Sequence, residues 1–165
     1  MTITLKRLAL AISAPAAVAA AFAVGSPATG QSPPGRTLTF TELDKGATFV
    51  HIRNTKTRSR KANSQGDVLT FTNPLADTAG KTVGKLHAAC TTTVGSRDFT
   101  KSTMTCHGVI VLPDGTLTGL GNITPGAATN VTAVTGGTGA YSGARGQLTS
   151  RATDAGMVDT ITLDG

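Results

Sequence analysis

The chain has 165 residues, two cysteines, no tryptophan, 4 % aromatic residues and 15 % charged residues. That is enough length for one domain with a real core, and too few rings for a face that stacks bases or sugars. Lysine and arginine outnumber the acidic residues, 15 to 9, for a formal charge of +6.

Lys6 and Arg7 precede an apolar, alanine-rich run from Leu8 to Val24. Small residues at Ala21-Phe22-Ala23 and Ala28-Thr29-Gly30 offer cleavage sites, which is the layout of a secretory signal peptide. A membrane anchor is the alternative, since the run nearly reaches spanning length. Its mild hydrophobicity and the Ser/Pro/Gly-rich stretch behind it favour cleavage, and no cysteine stands at its end to carry a lipid. Residues 1–30 are therefore expected to be a signal peptide, 31–36 a short linker, and 37–165 one exported, extracellular domain with no membrane contact after cleavage.

After the leader, helical periodicity is absent. Short alternating runs rich in Thr, Val, Leu and Ile are punctuated by Gly, Pro, Asn and Asp, the pattern of an all-β sandwich or barrel. Strands are expected near 37–43, 48–53, 67–73, 81–94, 101–112, 115–122, 129–135, 145–152 and 157–163. Breaks fall at Asn73-Pro74, Pro113-Asp114-Gly115, Pro125-Gly126 and Asp154-Ala155-Gly156.

On the first strand, alternation puts Leu38, Phe40, Glu42 and Asp44 on one face. A carboxylate behind two apolar inward residues is unusual. Buried there, Glu42 would be desolvated and its pKa raised, which suits proton transfer. At a strand end beside Asp44-Lys45-Gly46, the same side chain would simply be hydrated; the sequence leaves both readings open. Between the second and third strands, the run RNTKTRSRK from Arg53 to Lys61 concentrates basic charge. An anionic surface or nucleic acid could bind there, but the run lacks interleaved aromatics, so a solvated loop is the preferred reading and no nucleic-acid partner is expected.

On the third strand Asp67, Leu69, Phe71 and Asn73 align. The fourth and fifth strands carry Cys90 and Cys106 around the segment Gly95-Ser96-Arg97-Asp98-Phe99. If that hairpin turns about Asp98, the two cysteines face each other at cross-strand disulfide distance. In an exported protein a bridge is the preferred reading, a reactive free thiol the alternative. Met104, Cys106, Ile110 and Leu112 share the cysteine face. His87 and His107 lie diagonally on the opposite face and lack a third ligand at suitable spacing, so no metal is expected. Asn122-Ile123-Thr124 and Asn130-Val131-Thr132 match glycosylation sequons.

Five glycines crowd AVTGGTGAYSGARG, residues Ala133 to Gly146. A phosphate cradle would need those glycines to open a helix with Lys and Ser/Thr behind them. They follow β-branched residues and lead into another alternating run, so they are read as a corner between strands. The chain also lacks a Gly-x-Ser-x-Gly elbow, and nothing supports a hydrolase.

Taken in order, GDVLTFTNPLAD (Gly66 to Asp77), KTVGKLHAAC (Lys81 to Cys90) and AVTGGTGAYSGARG resemble the allene oxide cyclase and dirigent superfamily, most of all its small exported bacterial barrels. The resemblance spans about Thr37 to Leu163. It implies an eight-stranded antiparallel, calycin-type β-barrel with a cavity in its mouth, no cofactor and no metal, assembled as a homodimer or homotrimer. It also implies a small hydrophobic molecule as partner and, for an enzyme, a cofactor-independent isomerase or cyclase. Glu42 matches the cavity glutamate of the cyclases, with Asp44 where they have an asparagine. Asn73 and Cys90 match a cavity asparagine and cysteine, and Leu69 stands where they have a cavity valine. The cyclase cavity tyrosine falls at about Ile123 and is lost. The resulting expectation is a ligand cavity lined by Phe40, Asp44, Leu69, Phe71, Asn73 and Met104, with Glu42 as its catalytic group and steering of cyclisation or stereoselective coupling as its activity. A non-catalytic binding or structural barrel, filled by its own side chains, is the alternative.

Overall fold

The computed structural model describes residues 35–54, 63–154 and 156–164. The expected signal peptide, most of the linker and residues 55–61 of the basic run lie outside them. Nine strands follow in chain order: β1 Thr37–Glu42, β2 Thr48–Ile52, β3 Val68–Ala76, β4 Thr82–Val94, β5 Thr103–Leu112, β6 Gly115–Ile123, β7 Thr129–Gly139, β8 Gly146–Thr153 and β9 Gly156–Leu163. A single 3-10 turn, Phe99–Lys101, sits between β4 and β5 among the described residues.

The strands form one antiparallel sheet in which each neighbour in sequence pairs with the next from β2 to β9, and β9 returns to β1. Closure comes from β1 pairing with β3 through Thr41–Ala76 and Glu42–Leu75. Since β2 occupies the same edge of β3 further along, nine strands fill eight positions of a closed barrel. Closure leaves no long unpaired edge on the eight-position ring.

The interruption between β1 and β2 explains Pro74. The sequence pattern places a strand end at Asn73-Pro74, yet β3 runs through to Ala76. A proline inside a ladder lacks the N–H its neighbour needs. Here the Pro74 carbonyl accepts from Leu43 N at 2.9 Å, so its nitrogen faces the gap where the chain turns at Asp44–Ala47 and no ladder acceptor waits. The proline is tolerated because the neighbouring strand is broken opposite it.

The glycine-rich segment also differs from expectation. β7 continues through Gly136 and Gly137 to Gly139, and only residues 140–145 make the corner. A Cβ at Gly137 would lie 2.5 Å from the Tyr141 carbonyl and 2.6 Å from that of Thr116, and Gly139 takes φ +60°. These bare positions let the corner fold under the barrel and insert Tyr141, which is 2 % exposed. Its hydroxyl donates to Asp114 Oδ2 at 3.2 Å, and Arg36 lies 5.1 Å from its ring centre. Around Tyr141 pack Phe40, Leu75, Ile110, Leu117, Ile161 and Leu163, closing that end of the barrel.

A smaller cluster of Leu69, Cys90, Met104 and Cys106 lies in the other half, with Phe71, Phe99 and Ile123 against it. Cys90 and Cys106 are register partners and are disulfide-bonded, with Cα atoms 4.0 Å apart. Asp67 is 2 % exposed and accepts from the amides of Asn54 (2.7 Å) and Ser64 (3.0 Å) and from His51 Nε2 (3.0 Å). Burial alone would raise its pKa, but these bonds outweigh it and hold the carboxyl below its ordinary value. Asp67 thereby ties together the two ends of the 55–62 segment.

Candidate functional site

Between the closed end and the opposite mouth lies a cavity of about 340 Å³. Its lower wall is formed by Leu86, Ile110, Leu117, Val134 and Ile161, members or neighbours of the packed cluster. Further out it is lined by Leu69, Phe71, Met104 and Ile123, with the Cys90–Cys106 bridge in the wall and Phe49 and Phe99 near the rim. The lining is mostly apolar with a few convergent polar groups, the usual composition of a small-molecule site.

Glu42 supplies the chief polar group. As the last residue of β1 it follows Leu38 and Phe40 onto the inward face, just above the packed end. Asn73, facing inward from β3, donates Nδ2 to Glu42 Oε2. Behind Glu42 stands Asp159 on β9, the register partner of Phe40 and fully buried. Ser150 of β8 donates to Asp159 Oδ1 at 2.6 Å. Asp159 Oδ2 has no hydrogen-bond donor among the described residues, and the Glu42 carboxyl is its electrostatic neighbour.

Two carboxyls in contact inside an apolar barrel cannot both ionise cheaply. Burial pushes Glu42 up to about 7, the Asp159 charge adds to this, and the Asn73 hydrogen bond works against it. Burial raises Asp159 too, partly offset by its bonds from Ser150 and Glu42. The two groups are coupled, and each holds its proton more tightly than a free carboxyl does. That arrangement can donate a proton, take one back, or stabilise positive charge, without a metal or other cofactor.

The expected site residues mostly converge. Glu42, Leu69, Phe71, Asn73, Cys90, Met104 and Cys106 all line the cavity, as does Ile123. Two expectations need correction. Phe40 faces inward but is 7 % exposed within the packed cluster, so it forms part of the floor beneath Glu42 and does not line the cavity. Asp44 is exposed in the turn after β1, where its carbonyl accepts from Ala47 N at 3.0 Å, because the strand ends at Glu42 and the alternation stops there. Its charge still adds to the upward push on Glu42.

Asp159 and Ser150 belong to no motif that marks them in the sequence. The signal was present in Met157, Asp159, Ile161 and Leu163, an inward series broken by one carboxylate, like that of β1. His87 and His107 sit on the outer face, His87 Nδ1 3.0 Å from Thr72 Oγ1. The Asn130 side chain is engaged at both ends, accepting from Thr124 N (2.9 Å) and donating to Thr124 O (3.2 Å), which holds the β6–β7 loop over the cavity.

Residues 47–160 match the family model of the allene oxide cyclase barrel like domain. The chain belongs to that family. The matched span includes Asp159 but begins after Glu42. Among solved structures, a pyocyanin demethylase is 24 % identical with a TM-score of 0.60, covering 78 % of this chain and 98 % of its own. A pterocarpan synthase dirigent protein is 19 % identical (TM-score 0.56), covering 78 % and 87 %. A Diels-Alderase from Streptomyces koyangensis is 16 % identical (TM-score 0.53), covering 82 % and 71 %. At these identities the likeness is one of fold. No curated protein sequence matches the chain.

Proposed function

We propose that this family member is an exported barrel that binds a small hydrophobic molecule in its cavity and steers its cyclisation or stereoselective coupling. The observation that carries this reading is an apolar cavity of about 340 Å³ ending on a buried carboxyl pair whose pKa values are both raised. The names of the similar structures, a dirigent pterocarpan synthase and a Diels-Alderase, support small-molecule chemistry on this barrel.

The physical contribution of such a site is mainly conformational. Apolar walls fix a flexible substrate in one folded conformer, so the freedom lost on reaching the transition state is lost on binding instead. Glu42 supplies charge control: protonated, it donates to an oxygen or nitrogen that gains electron density; ionised, it faces a centre that becomes positive. An isomerising ring closure needs no co-reactant, because the proton given at one atom is recovered from another. Residues 1–30 act as the export signal in this reading, and a homodimer or homotrimer is the assembly it carries.

A thermal-shift screen of hydrophobic metabolites on the purified protein tests the binding half, and product chirality with the best ligand tests the steering half. Ligands that bind without any change of product would leave a non-catalytic carrier.

A further inference from the structure

Midway along the cavity, the wall facing the carboxyl pair has a short stretch with little or no side chain. Around the closed sheet, β5 and β6 lie across the barrel from β9 and β1. Their inward residues at mid-cavity, Gly108 and Gly119, are register partners, and Ala88 of β4 pairs with Gly108. All three line the cavity. Nothing in the backbone demands glycine at 108. Its φ is not positive, and an added Cβ would come no closer than 3.4 Å to any atom, the nearest being Leu86 Cδ1. A strand glycine normally marks a bulge or the close approach of another group. Only the paired strand β4 comes within 4 Å of that position, at ordinary contact distance, so the space in front of Gly108 belongs to the cavity.

The opposite wall carries acidic groups without a cationic partner. Glu42 is faced by Asn73 from β3, by Asp159 from β9 and by Asp44 in the turn after β1, while Ser150 reaches Asp159 from β8. None of these is cationic. Among the described cavity residues there is no lysine or arginine, and His107 points outward by alternation. Asp159 Oδ2 is fully buried and accepts no hydrogen bond among the described residues. Two carboxyls buried side by side with no cationic side chain in the cavity form a setting that a positive group bound beside them would stabilise.

We propose that the ligand is a flat, conjugated ring system bearing positive charge or a protonated ring nitrogen, seated with one face on the Ala88–Gly108–Gly119 ledge and the other toward Glu42 and Asp159. This names the substrate class of the cavity and rests on its being a ligand site. The ledge admits a thin ring, would be narrowed by a methyl at 108 and would be blocked by a large side chain there. Phe71, paired with Ala88 on the adjoining strand, flanks the ring and favours a cation over its face.

The test is fluorescence titration of the purified protein with proflavine, a flat tricyclic cation, and with cis-parinaric acid, a flexible polyene anion. Saturable binding of proflavine at one per chain is expected. Gly108→Leu and Glu42→Gln should each weaken it about tenfold or more, while Lys85→Ala on the outer face leaves it unchanged. Should Gly108→Leu fail to fold, Gly108→Ala, whose Cβ the site accommodates, should weaken it by about threefold. Parinaric acid binding without proflavine binding, or proflavine binding indifferent to residues 42 and 108, overturns the flat-cation proposal and leaves the hydrophobic cavity standing. If neither probe binds, both readings fall.

Discussion

Glu42 and Asp159 meet inside the barrel from adjacent strands, with Asn73 holding one and Ser150 the other. Neither carboxylate reads as unusual on composition alone. Their contact makes the pair a proton store at the end of an apolar cavity.

The first consequence is titration behaviour. Side-chain carbon NMR should find Glu42 titrating near pH 7, far from its ordinary value of 4.5. In Asp159→Asn it should drop yet stay elevated, because burial is the larger cause. In Asn73→Ala it should climb, because the hydrogen bond that favours the ionised form is gone. A Glu42 resonance titrating near 4.5 in the wild type would remove the proton store.

Stability follows from the same shift. Glu42 holds its proton more tightly folded than unfolded, so its contribution is complete below about pH 4.5 and fades as pH rises through about 7. Chemical denaturation should show the wild type losing about 1–3 kcal/mol over that window relative to Glu42→Gln. Asp67 acts in the opposite sense: its lowered pKa stabilises above the unfolded carboxylate value and is lost on acidification through the folded one. Asp67→Ala should cost about 1–3 kcal/mol by leaving the Asn54 and Ser64 amides without their acceptor.

Disulfide status is checked by intact mass. The protein should take up no alkylating reagent until reduced, since Cys90 and Cys106 are bridged. Replacing both by serine should cost roughly 3 kcal/mol, the scale expected for a cross-link spanning 16 residues. Two thiols alkylated without reduction would contradict the bridge.

The closed end should be the more stable half. Tyr141→Ala should destabilise by about 3–5 kcal/mol, as a large buried ring in a dense cluster. Tyr141→Phe should cost only about 1 kcal/mol, the worth of the hydrogen bond to Asp114. Equal losses for the two variants in thermal unfolding would mean that the hydroxyl, not the ring, anchors the corner.

Much of this barrel is legible in the sequence because β-alternation is a local signal. It placed all nine strands, set Glu42 inward, and paired Cys90 with Cys106 across a hairpin whose register the turn fixes. Two strand ends escaped it. Pro74 reads as a breaker, and only the long-range gap between β1 and β2 shows why it is tolerated. Gly136 and Gly137 read as a turn, and only the packing of Tyr141 beneath them shows that they remain in β7. Asp159 was legible by the same alternation, yet its importance lies in touching a residue more than a hundred positions earlier, which no local pattern reports. Phe40 and Glu42 share a face but not a role, because cavity and core divide along the barrel axis.

The claim that this cavity receives a small apolar molecule beside Glu42 is tested most directly by methyl-carbon NMR during ligand titration. Met104, Leu69 and Ile123 line the cavity, whereas Leu120 and Val131 are exposed on the outer face. A binding molecule should shift the first three saturably, with Glu42 moving in step, and leave the outer two still. Shifts confined to Leu120 and Val131, or none that saturate across a broad panel of hydrophobic molecules, would contradict it.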